Sequence, residues 1–146
     1  MQVEIKIDTG CVETKVIIVS GAMTDEIGEL SRKILEHTPS VLTGFRESNA
    51  FILDLSKIIR FYTAGQKVYA VTENGEYTLR LRLYELEKRL NSSEFMRISN
   101  SEIINLKEVV GFDLSLSGTI CVKFPDGSVS YASRRYVSKI KRILGM

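Results

Sequence analysis

Two short polar segments carry the side chains best suited to chemistry with a partner molecule. The segment Ser99-Asn-Ser101 places an amide between two hydroxyls, and Ser133-Arg-Arg-Tyr136 places two guanidinium groups where a helix is expected to begin. Amides, hydroxyls and guanidinium groups act mainly through hydrogen bonds and ion pairs. Their presence in two compact motifs therefore indicates binding of a polar or anionic partner.

Catalytic chemistry has little support in the same sequence. The single histidine, His37, lies at the end of a predicted helix, where the favourable interaction of a cation with the helix terminus explains it. No Ser-His-Asp or Cys-His combination can be assembled without it, and no Walker loop, GxGxxG segment or cluster of metal ligands occurs. We therefore expect no enzymatic activity, no metal and no cofactor.

The formal charge of +2 is unevenly distributed along the chain. Residues 1–50 hold 5 Lys/Arg against 8 Asp/Glu, whereas residues 51–146 hold 15 against 10. Residues 122–146 are the most basic segment, with six cations against Asp126 alone. Such a segment suits a polyanion, because each Lys or Arg docked on a phosphate releases condensed counterions. A helix that carries solvated lysines is the alternative reading.

Length and composition predict a globular chain with one domain or two small ones. Its 146 residues, 44% of them hydrophobic, suffice for a packed core. No apolar run approaches the roughly 20 residues of a membrane span. The chain starts with strand-like alternation rather than a signal peptide, so a cytoplasmic location is expected. Cys11 and Cys121 lack CxxC spacing, which argues against zinc and against a disulfide framework.

The residues before position 45 predict a small β-β-α module. Val3–Ile7 and Thr14–Val19 read as two strands across a turn at Asp8–Gly10. A helix follows Thr24, with apolar residues on one face up to Thr38-Pro39. A module of about 37 residues is small for independent folding, so we expect it to pack on the later part or on a second copy.

A linker is predicted next, because the stretch from Pro39 to Ala50 carries a proline, a glycine and several polar residues.

The part after the linker is predicted to be mostly β. Asn74-Gly75 is a strong hairpin signal, and Leu83, Leu86 and Leu90 repeat at helical spacing, which predicts a helix. Short strands and a closing basic helix make up the rest. The predicted strands are 58–62, 67–72, 76–80, 95–98, 102–106, 109–115, 119–124 and 129–132, and the last helix starts at Arg134 with Tyr136, Val137, Ile140 and Leu144 inward.

In this order, from about Ile52 to Leu144, the motifs resemble the LytTR family of bacterial DNA-binding domains. The matching features are the Ile-Arg-Phe-Tyr strand, the Leu-rich helix, Phe95-Met-Arg-Ile-Ser-Asn-Ser101, the Asp126-Gly127 turn and Ser133-Arg-Arg-Tyr136. The resemblance implies a mostly β, α+β fold over residues 46–146. Its short antiparallel sheets would carry loops, rather than a recognition helix, into successive major grooves.

The resemblance also implies DNA contacts in three places: the loop Thr63–Lys67, the turn Ser99–Ser101 and the helix start Ser133–Tyr136. Asn100 and Arg135 are the leading base readers, because an amide can donate and accept at one base edge and a guanidinium can pair bidentately with guanine. The complete set of predicted DNA-binding residues is Asn100, Arg135, Ser133, Arg134, Lys67, Gln66, Ser99, Ser101, Arg97 and Lys139.

Most of these residues also have a structural interpretation. Asn100 could satisfy the turn through bonds to the backbone, and Ser133 could be the N-cap of the last helix. Arg97 could cover a sheet edge. Asn105 is expected to fix local backbone, and Tyr136 to belong to the core.

Taken together, the sequence and the resemblance predict a transcriptional regulator without a phosphoacceptor receiver domain. Two copies would bind repeated promoter sites on double-stranded DNA, with residues 1–45 serving dimerisation or control by a membrane protein. The alternative is a protein-interaction module that binds an acidic partner and has no sequence-specific DNA binding.

Overall fold

The computed structural model describes residues 1–12, 14–36 and 41–146, and the chain divides into two compact units, Met1–Pro39 and Ser40–Met146. The first unit contains the helix α1 (Asp25–Glu36). Thr24 precedes it, and its hydroxyl oxygen accepts a hydrogen bond from the Ile27 amide at 3.3 Å. The predicted helix is thus confirmed, while its predicted terminus at Thr38-Pro39 lies outside the described residues.

The two strands predicted before this helix are wrong, since no strand forms in the described part of the first unit. The turn between them is present, because the Gly10 amide donates to Asp8 Oδ1 at 2.9 Å. However, Val3, Ile5 and Ile7 are 82–85% exposed. Alternating β-branched residues need a neighbouring strand and a core, and a two-stranded ribbon alone is marginal in water.

A hairpin occupies the segment predicted to be a linker. Strands β1 (Val41–Arg46) and β2 (Asn49–Asp54) pair antiparallel along their whole length, and the predicted boundary after residue 45 therefore falls inside β1. Gly44 permits close packing, because a Cβ there would lie 2.5 Å from Leu53 Cδ1. The polar turn residues suggested a linker, but Leu42 and Leu53 of this hairpin are buried in the core.

The larger sheet has seven antiparallel strands in the order β2-β1-β5-β4-β3-β7-β6. One of its cores includes Phe61 and Phe95, and the leucines of the helix α2 (Leu83–Arg89) and Leu90 pack on it, as their spacing predicts. The predicted hairpin at Asn74-Gly75 is confirmed. The remaining strands are β3 (Ile58–Ala64), β4 (Lys67–Thr72), β5 (Gly75–Leu79), β6 (Phe95–Ser99) and β7 (Glu102–Asn105).

A three-stranded sheet and the last helix complete the second unit. Its strands β8 (Gly111–Asp113), β9 (Cys121–Lys123) and β10 (Val129–Tyr131) are ordered β10-β9-β8, and α3 (Arg134–Ile143) follows. A second apolar cluster joins Ile98 and Ile104 of the large sheet to Val122 and Ile140 of this part. The mixed α+β class is confirmed, although Leu144, predicted to face inward, is 37% exposed.

No helix within the described ranges is both long and apolar enough to cross a membrane.

Candidate nucleic-acid interface

The turn between β6 and β7 is held by serine rather than by asparagine. The Ser101 amide donates to Ser99 Oγ at 3.2 Å, and the two serine hydroxyls lie 3.2 Å apart. Asn100 is exposed, and its Oδ1 accepts from the Tyr136 hydroxyl at 3.4 Å. The side chain of Asn100 is therefore not used to close its own turn.

The start of α3 lies directly beside this turn. Ser133 is the N-cap, and its backbone amide donates to the Ile98 carbonyl at 2.9 Å. The predicted N-cap position is confirmed, but the Ser133 hydroxyl makes no capping hydrogen bond. Arg134 and Arg135 follow as exposed side chains. The Ser133 hydroxyl is partly buried and is not used by the helix backbone, while the two arginine side chains are exposed.

The turn between β3 and β4 belongs to the same neighbourhood. The Thr63 amide donates to the Ser101 carbonyl at 2.9 Å, which joins the end of β3 to the turn of β6 and β7. Gly65 and Gln66 both have left-handed φ angles, 55° and 64°, as in a two-residue turn of type I′. Gln66 and Lys67 are exposed. The Asn100 turn therefore adjoins both of the other predicted contact segments, the β3–β4 turn and the start of α3.

A basic cleft of about 540 Å³ borders the β3–β4 turn, between residues 63–68 and 79–83. The cleft is lined by Lys67, Arg80 and Arg82. Within the described residues, none of these three side chains forms an ion pair with an Asp or Glu. The Arg80 guanidinium lies 4.2 Å from the Phe45 ring centroid. Arg80 and Arg82 are not among the predicted DNA-binding residues, although the alternation in Leu79-Arg-Leu-Arg-Leu83 was a usable signal.

Arg97 contacts the protein more than the solvent. Its guanidinium pairs with Glu87 at 2.7 Å and donates to the carbonyls of Ser99 at 3.0 Å and Asn100 at 2.6 Å. Only 16% of the side chain is exposed. These contacts favour a structural role for Arg97. The predicted structural role was to cover a sheet edge, whereas the guanidinium supports the turn that presents Asn100.

Asn105 also has a structural role, as expected. It is 1% exposed, its amide donates to the Ile58 carbonyl at 2.8 Å, and its oxygen accepts from the Lys107 amide at 3.1 Å. Tyr136 is partly buried and packs against the second apolar cluster while its hydroxyl reaches Asn100. Lys139 is exposed on α3.

The electrostatics of the second unit favour an anionic partner. Residues 40–146 hold 16 Lys/Arg against 11 Asp/Glu. Near the β3–β4 turn, burial and a hydrogen bond to Glu76 raise the pKa of Tyr62 to about 12. Tyr62 is neutral at physiological pH with or without this shift, so the excess of Lys and Arg alone gives the unit its positive charge.

Comparison with known proteins assigns the family. A family model described as the LytTr DNA-binding domain matches residues 48–145. Over 147 aligned positions the chain is 32% identical to an HTH-type transcriptional regulator of Staphylococcus aureus strain NCTC 8325 and 31% identical to one of strain MRSA252. Each alignment covers 100% of this chain and 99% of the relative.

A solved structure has a similar fold. It is the LytTr DNA-binding domain of a methyl-accepting/DNA response regulator from Bacillus cereus, with a TM-score of 0.72 and 23% sequence identity. The match covers 75% of this chain and all of that domain. The resemblance noted in the sequence is confirmed, and the chain belongs to the LytTR family of DNA-binding domain proteins.

Proposed function

We propose that this protein is a transcriptional regulator that binds double-stranded DNA by sequence. The observation that carries the proposal is that the turn Ser99–Ser101 is bonded to both of the other polar segments. The Thr63 amide, at the β3–β4 turn, donates to the Ser101 carbonyl, and the Tyr136 hydroxyl, at the start of α3, donates to Asn100 Oδ1. Groups from three loops on one basic surface can contact several base edges and phosphates of a duplex at once.

Base reading falls to Asn100 and Arg135 in this proposal. Both are exposed, and Asn100 is bonded to Tyr136, the residue that follows Arg135. An amide suits adenine and a guanidinium suits guanine in the major groove. Loops reach the groove here, because α2 and α3 are separated by five strands and do not form a helix-turn-helix pair.

The other exposed or partly exposed polar residues would position the protein on the phosphates. Contacts to the DNA phosphates come mainly from Lys, Arg and hydroxyl side chains, and these contacts carry no sequence information. Arg80 and Arg82 join this set because they share a cleft with Lys67. Arg97 is assigned to support of the turn. The proposed phosphate contacts are Ser133, Arg134, Gln66, Lys67, Ser99, Ser101, Lys139, Arg80 and Arg82.

Two copies would bind a repeated promoter site in the cytoplasm. The first unit is the candidate for dimerisation or for control by a membrane protein, because its apolar side chains, including Val3, Ile5 and Ile7, find no core within the unit. A regulator of this kind has no need of a catalytic site. Both the dimer and the controlling partner are proposals that rest on the exposed apolar surface of this unit.

Selection of bound duplexes from a random pool tests the function directly. The wild-type protein should enrich a repeated sequence, and Arg135→Ala should lose preference at one base position with a cost of about 1–3 kcal/mol. Lys139→Ala is the matched control, a cation on the same helix, and should weaken all sequences alike.

Two results would contradict the proposal. Equal losses on selected and random duplexes for Arg135→Ala would remove the base-reading role. Failure of the wild-type protein to enrich any duplex, together with a stable complex with an acidic protein, would instead support the protein-interaction module.

A further inference from the structure

Three polar side chains meet between the two sheets of the second unit. Arg60 of β3 pairs with Glu102 of β7 at 3.3 Å between Nη1 and Oε2. The Ser130 hydroxyl of β10 donates to the same Glu102 oxygen, and Arg60 Nη1 lies 3.4 Å from Ser130 Oγ. The arginine and glutamate side chains are 21% and 14% exposed, and Ser130 is 5% exposed.

Aromatic rings restrict the position of the arginine further. The guanidinium carbon of Arg60 lies 5.1 Å from the centroid of Tyr62 and 5.7 Å from that of Phe124. Phe124 belongs to the second apolar cluster, while Tyr62 is paired with Glu102 across β3 and β7. Arg60 therefore touches both sheets, and its cationic group has little freedom to move.

This network joins the bases of two segments in the proposed DNA surface. Glu102 follows Ser101, the last residue of the Asn100 turn, and Ser130 lies in the strand that leads into Ser133 and α3. At the tips, hydrogen bonds join the same two segments from Ser133 to Ile98 and, at 3.4 Å, from Tyr136 to Asn100. The network is thus a second, more buried tie between them.

Stability alone is a weak reason for such a network. Desolvation of a buried ion pair offsets much of its Coulomb attraction, so an apolar replacement is often no less stable. A charged hydrogen-bonded group does, however, define one relative position of the elements it joins. What it defines here is the spacing between the Asn100 turn and the start of α3.

We propose that Glu102, with Arg60 and Ser130, is a positioning residue for sequence discrimination: it holds Asn100 and Arg135 at the spacing that reads successive bases. This inference rests on the proposed DNA binding. Base-edge hydrogen bonds weaken steeply with small displacements, whereas attraction between a cation and a phosphate declines slowly with distance. Loosening the network should therefore reduce discrimination more than it reduces binding to random DNA.

The test is the ratio of dissociation constants for random and selected duplexes, measured with the full chain. Glu102→Gln should lower this ratio roughly tenfold, the loss expected when one bidentate base contact is weakened. Removal of a carboxylate also strengthens binding to every duplex, but that effect cancels in the ratio. Ser130→Ala, which changes no charge, should lower the ratio in the same direction.

Glu94→Gln is the matched control. Glu94 pairs with Lys107 at 2.8 Å at the other end of the same β6–β7 hairpin. This substitution makes the same chemical change away from the Asn100 turn, and the ratio should stay at its wild-type value. Thermal unfolding of every variant checks that the compared proteins are folded at the temperature of the binding measurement.

A double variant separates positioning from a general structural role. In an Asn100→Ala background the effect of Glu102→Gln on the ratio should be largely lost, because the group it positions has been removed. An unchanged ratio in Glu102→Gln and Ser130→Ala, or a full effect that persists without Asn100, would overturn the inference. If wild-type protein shows no discrimination, the proposed function itself fails, and this outcome is distinct from both.

Discussion

Two asparagines five positions apart, Asn100 and Asn105, have the same side chain but different roles. Asn100 is exposed at a turn, and its side chain accepts a hydrogen bond from the Tyr136 hydroxyl. Asn105 is buried and spans two backbone groups, the Ile58 carbonyl and the Lys107 amide. The same amide chemistry is thus available to a ligand at one position and consumed by the fold at the other.

Replacing Asn105 by Ala should destabilise the protein by about 1–3 kcal/mol, because a buried carbonyl and an amide lose their partner. Urea unfolding followed by circular dichroism measures this loss. Asn100→Ala is the control and should stay within about 0.5 kcal/mol of wild type, as surface substitutions usually do. Equal unfolding free energies for the two variants would contradict the separation of roles.

The β1–β2 hairpin was predicted to be a linker because of its polar and glycine residues, although it is part of the larger sheet. Its turn carries Glu47 in the left-handed region, with φ of 55°. The hairpin is joined to the sheet by Arg46, which donates to the carbonyl of Asn74 at 2.9 Å and lies 4.0 Å from the centroid of Tyr77. Polar residues that suggested a linker are therefore part of the sheet.

Gly44→Ala should destabilise this hairpin by about 1–3 kcal/mol, the usual cost of adding atoms to a packed core. The new methyl group would meet Leu53 Cδ1 at 2.5 Å and Tyr77 Cβ at 2.8 Å. Gly111→Ala in β8 is the control, since nothing lies within 4 Å of a Cβ there. Thermal denaturation should show a clear loss for the first variant and little change for the second.

Three turns share a further device that makes stability depend on pH. Asp54, Asp113 and Asp126 each accept hydrogen bonds from the amide and hydroxyl of the serine two positions later, and these bonds lower the pKa of each carboxyl. A lowered folded-state pKa stabilises the fold above the unfolded pKa of about 4, and this contribution is lost as pH falls through the folded value.

Melting temperature should therefore fall as pH is lowered from 5 to about 2, the range in which these carboxyls become protonated. Asp126→Asn should reduce the size of that fall, because the variant has no carboxyl at position 126 to become protonated. If the melting temperature falls by the same amount in the wild type and the variant, the acid sensitivity arises from other groups.

The two units differ in charge and packing: the second is basic and has a packed core, whereas the first is acidic and its described residues form no core. Every residue of the two apolar clusters lies between Leu42 and Ile140, whereas α1 has no buried residue. Residues 1–39 hold 4 Lys/Arg against 7 Asp/Glu. The second unit therefore has the core that folding requires and the positive charge that the proposed duplex binding requires, and the first has exposed apolar groups.

Residues 40–146 alone should unfold cooperatively and bind a duplex with one site as tightly as the full chain. Binding to two adjacent sites should be weaker than for the full chain, because the proposed dimer contact is absent. Sedimentation and mobility shifts with one-site and two-site duplexes measure both effects. Identical two-site affinity for the two proteins would place dimerisation outside the first unit.

Local patterns were sufficient for much of the second unit. Asn74-Gly75 predicted its hairpin, and the leucines at helical spacing predicted α2, because turn chemistry and amphipathic periodicity act over a few residues. The order of the short motifs was sufficient for the family. The strands predicted at Val3–Ile7 and Thr14–Val19 failed, since alternation supplies a face but not the neighbour that must cover it.

Tertiary structure alone decided which polar groups meet. Arg97 faces Glu87, Glu102 faces Arg60 and Ser130, and Asn100 faces Tyr136, across separations of 10 to 42 residues for the two ion pairs and 36 for the last bond. Such pairings depend on strand register and on how the sheets and α3 pack. Neither the register nor the packing can be predicted from a local sequence pattern. Residue types therefore determined the kind of chemistry, and packing determined which polar groups stay exposed.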